Sequence, residues 1–384
     1  MANQDIPEVD IQSMLGEETP PASDIPYVPR KVVLDAFSVP PQINDVLDKL
    51  RRWDTGCVDV AVDFRQVVFT ATEEDMCITP EAGTYIHKPV YFMKDMDDSS
   101  SPKIVHSQKQ FCRILGIPHG FFTKNRPSLR MNIVRTWQAG LQANDKKAQG
   151  ILRLRDGQDC GVLRAILNPS SVPLKTSEVL ISTLHGLDKN ARVLFVSGDG
   201  QDDLVFHIRL LIGQPYELVT GQSIELGIAL TASELGACPL FFDVFVKDVT
   251  TGACFVPTYA GEPFFTSKYV GLQHTDLVDL LTKVAGRVAQ EAPEIITVLS
   301  TQTAPSTTFE MRSEFHRLSQ SRGLTSQYRQ ALYHQMNEAK DQICTPYDVA
   351  CQAALVAQSL DTLKRLEAER RIGQYLNMVF TSVT

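Results

Sequence analysis

The spacing of apolar and polar positions changes period along the chain, and those changes outline its architecture. A helical spacing over residues 41–53 gives way to alternation at Val58, Val60, Val62 and Phe64, followed by 67–72. Period two predicts strands with one face buried. A further strand is expected over 85–93. Ser107 and Gln110 have the spacing of a capping box, and Phe111, Ile114 and Leu115 then mark one face of a helix that Gly116 and Pro118 end. Leu129, Ile133, Val134 and Trp137 repeat at helical spacing, so two helices joined through residues 116–122 are expected.

Strands return at 150–155 and 160–167, with Asp156-Gly157 suited to a tight hairpin because both residues tolerate positive φ. A helix is expected over 177–187 with Thr176 as its cap, and strands over 192–196, 204–212, 223–231 and 239–249. Beyond about Gly271 the period is 3.6 in five stretches: 275–290, 308–320, 326–343, 346–359 and 362–380. The pattern predicts an α+β protein, with a β-rich central core, an inserted helical pair and a helical C-terminal region. The expected divisions are an acidic extended arm (1–38), an α+β core (39–271) carrying a basic helical segment (103–144), and the C-terminal helices (272–384).

Composition alters this picture only in places. Apolar residues at 43% and charged residues at 21% of 384 positions are globular values. The eight cysteines show no CxxC pair and no zinc spacing, so buried free thiols are expected. No basic leader or long apolar run is present, which sets the expectation of a cytoplasmic protein with no membrane partner.

Charge is unevenly distributed. Asp5, Glu8, Asp10, Glu17, Glu18 and Asp24 precede the first basic residue, Arg30, and prolines at 7, 20, 21, 26 and 29 oppose regular structure. This arm reads as a solvating tail, or as a segment that docks on its own basic surface or on another copy. The net charge of −8 argues against a surface uniformly adapted to nucleic acid. Yet from Lys103 to Asn144 there is no Asp or Glu, while Lys103, Lys109, Arg113, Lys124, Arg126, Arg130 and Arg135 supply seven positive charges. Phe111, Phe121, Phe122 and Trp137 lie among them, and cations with interleaved aromatics are what single-stranded nucleic acid requires, a phosphate track with stacking faces. Phe111 and Trp137 fall on apolar helical faces and are expected in the core. One of Phe121 and Phe122 is expected to be exposed. Arg153 and Arg155, on one face of a strand by alternation, extend the track.

Enzymatic constellations are weaker. No phosphate-binding Gly-x4-Gly-Lys-Ser/Thr loop occurs. Asp199, Asp202 and Asp203 lack the cadence of a calcium loop. Asp243 with Lys247 and Glu225 is the best set for a metal-dependent nuclease. His119 is a conceivable general base without a presented nucleophile, and Cys112, near Lys109 and Arg113, could be activated, although its place on the predicted helix favours a small core residue. No cofactor and no metal are expected.

Three blocks carry a resemblance. They are 107–118 continuing through Phe121-Phe122 and Arg126-Pro127 to Asn132 and Trp137; the hairpin 152–157 with 162–167 and Pro173-Leu174; and Ser233-Glu-Leu-Gly236 with strands to Tyr269-Val270-Gly271. In this order they resemble the phage- and plasmid-related bacterial family of "domain of unknown function" proteins. Lys268-Tyr269 departs from that family's Arg-His, and 248–252 from its Cys-Thr-Asn-Gly turn. The resemblance implies a mobile-element setting near replication or recombination proteins. Together with the charge pattern it gives the functional expectation: a non-enzymatic, homo-oligomeric protein that binds single-stranded DNA and assists annealing or recombination. The alternatives are a metal-dependent nuclease and a structural or partner-binding phage or plasmid protein.

Overall fold

The computed structural model describes residues 41–54, 57–71, 76–79, 90–92, 106–142, 146–155, 161–171, 175–187, 191–197, 205–257, 264–267, 274–303, 308–321, 323–339, 343–360 and 362–383. These fall in one compact unit, Ser38–Thr384, which takes in both the expected core and the C-terminal helices. The acidic arm, Lys103, the Asp156-Gly157 turn, Cys160, the 199–203 acids and Lys268-Tyr269 lie outside the described residues.

The fold is α+β. Helix α1 (Pro41–Asp54) leads into a six-stranded sheet built from β1 (Cys57–Asp63), β2 (Val68–Ala71), β3 (Met76–Thr79), β4 (Val90–Phe92), β5 (Gln149–Arg155) and β6 (Gly161–Leu167). Its order is β1-β5-β6-β4-β3-β2, antiparallel except for the β4–β6 pair. Between β4 and β5 the chain forms α2 (His106–Leu115), α3 (His119–Lys124) and α4 (Pro127–Gly140). Gly116, at φ 73°, ends α2 in the left-handed conformation that a side chain would strain.

The expected connection 116–122 is thus partly a helix. Pro118 stays extended, and α3 begins directly after it so that Phe122 can turn inward. Phe111 is the centre of the resulting core. Its ring lies 5.2 Å from Phe69, 5.5 Å from Phe92, 6.1 Å from Trp137 and 6.2 Å from Phe122. With Val134, Leu152, Leu154, Leu163 and Ile166 these residues pack α2–α4 onto the first sheet. Gln138 fixes α4 to the turn after β1, donating to the carbonyls of Phe64 (2.7 Å) and Val67 (2.9 Å).

A second antiparallel sheet follows α5 (Thr176–Gly186). Its order is β11-β10-β9-β8-β7, from β7 (Arg192–Ser197), β8 (Phe206–Glu217), β9 (Ser223–Ala232), β10 (Leu240–Asp248) and β11 (Cys254–Phe255), with β12 (Phe265–Ser267) also on β10. The cap of α5 is Lys175 rather than Thr176: its backbone N–H donates to Glu178 at 3.0 Å, and Thr176 is already helical. Helix α6 (His274–Gln302) crosses α5 so closely at Gly186 that an added Cβ would lie 2.1 Å from the carbonyl oxygen of Thr282. It continues through Pro293, well past the expected end at 290.

The chain then runs through β13 (Phe309–Glu310), α7 (Met311–Ser319), α8 (Ser326–Ala339), β14 (Ile343–Cys344), α9 (Pro346–Ala357) and α10 (Thr362–Val383). Helix α10 lies on the face of the second sheet formed by Leu211, Ala229, Phe245 and Cys254, inserting Leu366 among them. No helix among the described residues is long and apolar enough to cross a membrane.

Candidate functional site

The acid-free segment divides into an apolar underside and a charged outer side. On α2, Ser107, Phe111 and Cys112 face the sheet, while Lys109 and Arg113, one turn apart, are exposed. Lys124 ends α3, Arg126 caps α4 and Arg135 lies on the solvent side of α4, all three exposed. Among the described residues, no carboxylate pairs with any of these five cations. Phe121 is 52% exposed, one turn from Lys124, and Leu129 beside Arg126 and Arg130 is also exposed.

One of the two loop aromatics is exposed, as expected: Phe121 presents its ring to solvent, whereas Phe122, at 0% exposure, is a core residue set edge-on to Phe111 and not a stacking face. Two arginines depart from the expected track. Arg130 is 6% exposed and its Nε donates to the carbonyl of Asn125 at 2.9 Å, bracing the α3–α4 junction instead of the surface. Arg153 is 2% exposed and cannot extend a phosphate track. Its guanidinium grips Asp59 with two hydrogen bonds, 2.8 and 2.7 Å, and donates to the carbonyl of Glu234 at 2.6 Å. Arg155, at the strand end, is half-buried. Cys112 is the small core residue its helical position favours, and burial pushes its thiol up to about 11, away from an activated thiolate.

The Ser233–Gly236 turn joins the two sheets. Glu234 pairs with the buried Arg164 and approaches Arg153 at 3.8 Å. The Leu235 carbonyl accepts from Gln110 Nε2 (2.8 Å) and His106 Nε2 (2.9 Å), while Gln110 Oε1 accepts from the N–H of Ile166 at 2.8 Å. A bulge between β5 and β6 makes Arg164 the extra residue and turns it toward Glu234. This turn therefore sets α2, with Lys109 and Arg113, against the second sheet.

Asp54, 5% exposed at the end of α1, accepts a hydrogen bond from Ser177 in the first turn of α5. Burial raises its carboxyl to about 6; Ser177 and Lys175 oppose the shift, whereas Glu234 and Glu178 add to it. A raised carboxyl contributes stability that is complete below the unfolded value near 3.8 and is lost as pH rises through about 6. Asp54→Asn is therefore expected to match the parent near pH 4 and to exceed it by about 2–3 kcal/mol above pH 7, the worth of two pKa units. Urea unfolding across that range measures the difference.

A second buried network, absent from the sequence reading, lies under α10. Arg209 donates to Glu369 at 2.5 Å, and Arg365 reaches the same carboxylate at 2.9 Å. Arg370 holds both oxygens of Asp243, at 3.2 and 2.7 Å. Arg209 Nε donates to His207 Nε2 (3.2 Å), so His207 carries its proton on Nδ1, which donates to Thr231 at 2.8 Å. Burial first, then Arg209, Arg365 and Arg370, hold this imidazole neutral, well below its usual range.

The same geometry dismantles the nuclease set. Asp243 is buried against Arg370, while Lys247 pairs with Glu225 at 2.8 Å, four residues along the strand. At about 3.4 Å per residue the strand positions of the two carboxylates are about 14 Å apart. Among the described residues, no group of three or more His, Cys, Asp or Glu could hold a metal ion. His119 has Gln108 Oε1 at 3.1 Å as its partner, with no hydroxyl or thiol bonded to it among the described residues.

No family model, curated protein or solved structure matches the chain. The mobile-element resemblance rests on the three sequence blocks alone.

Proposed function

We propose that the protein binds single-stranded nucleic acid on the outer side of α2–α4, without performing covalent chemistry on it. The observation that carries this reading is the set of five exposed cations, none paired with a carboxylate among the described residues, beside an exposed Phe121 in a chain of net charge −8. An acidic protein ordinarily pairs its surface cations or mixes them with acids. Unpaired Lys and Arg neutralise phosphates and release counterions, and an exposed ring gives a base a face on which to stack. Annealing or recombination assistance by a homo-oligomer in a mobile element is the biological form of this reading, supported by the sequence resemblance.

Lys124→Ala with Arg126→Ala is expected to weaken binding of a deoxythymidine oligonucleotide and to lower the salt slope by about 0.7 per lost phosphate contact. Phe121→Ala is expected to cost about 1–3 kcal/mol while leaving that slope unchanged, because stacking releases few counterions. Fluorescence titrations across a salt series measure both. Equal affinity in parent and variants would place binding elsewhere, and metal-dependent shortening of the oligonucleotide would replace the reading with a nuclease.

A further inference from the structure

Two histidines belong to the same face, and their hydrogen bonds leave each with one ring nitrogen able to take a proton. His106 opens α2 and lies on the Lys109–Arg113 side of it, its Nε2–H donating to the Leu235 carbonyl, an oxygen that can only accept. His119 opens α3 and donates from Nε2 to Gln108 Oε1, which brings its ring to α2. In both rings the second proton would enter at Nδ1. Neither ring has an ion-pair partner among the described residues.

Burial, followed by the charges of Arg113 and Lys109, holds His106 below its ordinary value, the Leu235 hydrogen bond partly opposing them. His119 is lowered by burial and then by Lys109. The acid on the turn packed against His106, Glu234, is engaged by Arg164 and Arg153. Both imidazoles are therefore held toward the neutral form by burial first, and in addition by Lys109 and, for His106, Arg113, which stand without counter-charge.

We propose that strand binding on this face is proton-linked, His106 and His119 taking up protons as phosphates cover Lys109 and Arg113. The inference rests on the binding reading above and adds its regulation. A phosphate at these cations cancels the field that opposes imidazolium and brings negative charge close to Nδ1. By linkage, whatever makes protonation easier in the complex makes binding tighter as pH falls, and by the same factor. The sign follows: at pH 8 both states hold neutral rings and no proton moves, whereas below about pH 6.5 the complex is protonated ahead of the free protein.

The test is calorimetric titration of the full chain with a deoxythymidine oligonucleotide, between about pH 5.5 and 8, in buffers of different ionisation enthalpy. Expected is proton uptake that appears below neutrality, with affinity rising by about three- to tenfold per pH unit there. His106→Gln with His119→Gln should flatten that rise, the slope of affinity against pH being the readout whatever the variant's affinity at pH 8. On the unmodified protein, the imidazole resonances of both residues should titrate at higher pH with oligonucleotide than without, which keeps the test independent of the variant's folding. Binding without proton uptake, or uptake unchanged in the double variant, overturns the linkage and leaves the binding reading standing. Absence of binding at every pH overturns both.

Discussion

Replacing Glu369 by alanine is expected to remove about 3–5 kcal/mol of stability, the usual cost of stranding one member of a buried ion pair. Glu369 is fully buried, and it receives Arg209 and Arg365. Arg365 is partly exposed and can turn its guanidinium to water. Arg209 cannot: it is 1% exposed on β8, and its other polar neighbours are the Cys254 thiol and His207, a neutral ring held below its normal range, neither of which supplies a counter-charge. The uncompensated guanidinium, not the lost attraction, sets the magnitude. Urea unfolding should show a lower midpoint with an unchanged slope. The apolar double variant Arg209→Met with Glu369→Leu should regain most of the loss, since it buries no charge at all. A small loss in the single variant would mean that water reaches Arg209 between α10 and the second sheet.

Replacing Glu234 by alanine should be of the same order, about 3–5 kcal/mol, because one carboxylate serves two buried arginines. Arg153 retains Asp59, so the cost falls mainly on Arg164. Glu234→Gln keeps an accepting oxygen and should lose less, about 1–2 kcal/mol. Asp59→Ala should also be milder, since Asp59 is partly exposed and Arg153 keeps its bond to the Glu234 carbonyl. Glu234→Ala carries a second consequence. The same turn accepts Gln110 and His106 from α2, so loosening it should weaken the presentation of Lys109 and Arg113. Melting and oligonucleotide titrations on Glu234→Ala, read together, separate loss of fold from loss of surface.

The relation between sequence and structure is clearest in these residues. The periods of the apolar positions determined the helices other than α3 and nine of the fourteen strands among the described residues, because burial of one face imposes the spacing whatever that face meets. They also placed Phe111 and Trp137 in the core. The short strands β3, β11, β12, β13 and β14 are not legible in the chain, as two to four residues offer too little alternation to register, and Pro118 and Gly120 mask the helix α3 and the inward turn of Phe122.

Charge was legible as density but not as direction. The absence of acids over 103–144 was visible in the chain, and five of its cations do face solvent unpaired among the described residues. Arg130 and Arg153 were indistinguishable from them in sequence. What decides whether an arginine is a surface contact or a buried strut is its partner, and Arg153 finds Asp59 at a sequence separation of 94, Arg164 finds Glu234 at 70 and Arg209 finds Glu369 at 160. A strand reading Leu-Arg-Leu-Arg shows that a charge stands among apolar neighbours. Only the tertiary structure supplies the carboxylates that let those charges be buried: Asp59 from the neighbouring strand β1, Glu234 from the 233–236 turn and Glu369 from α10.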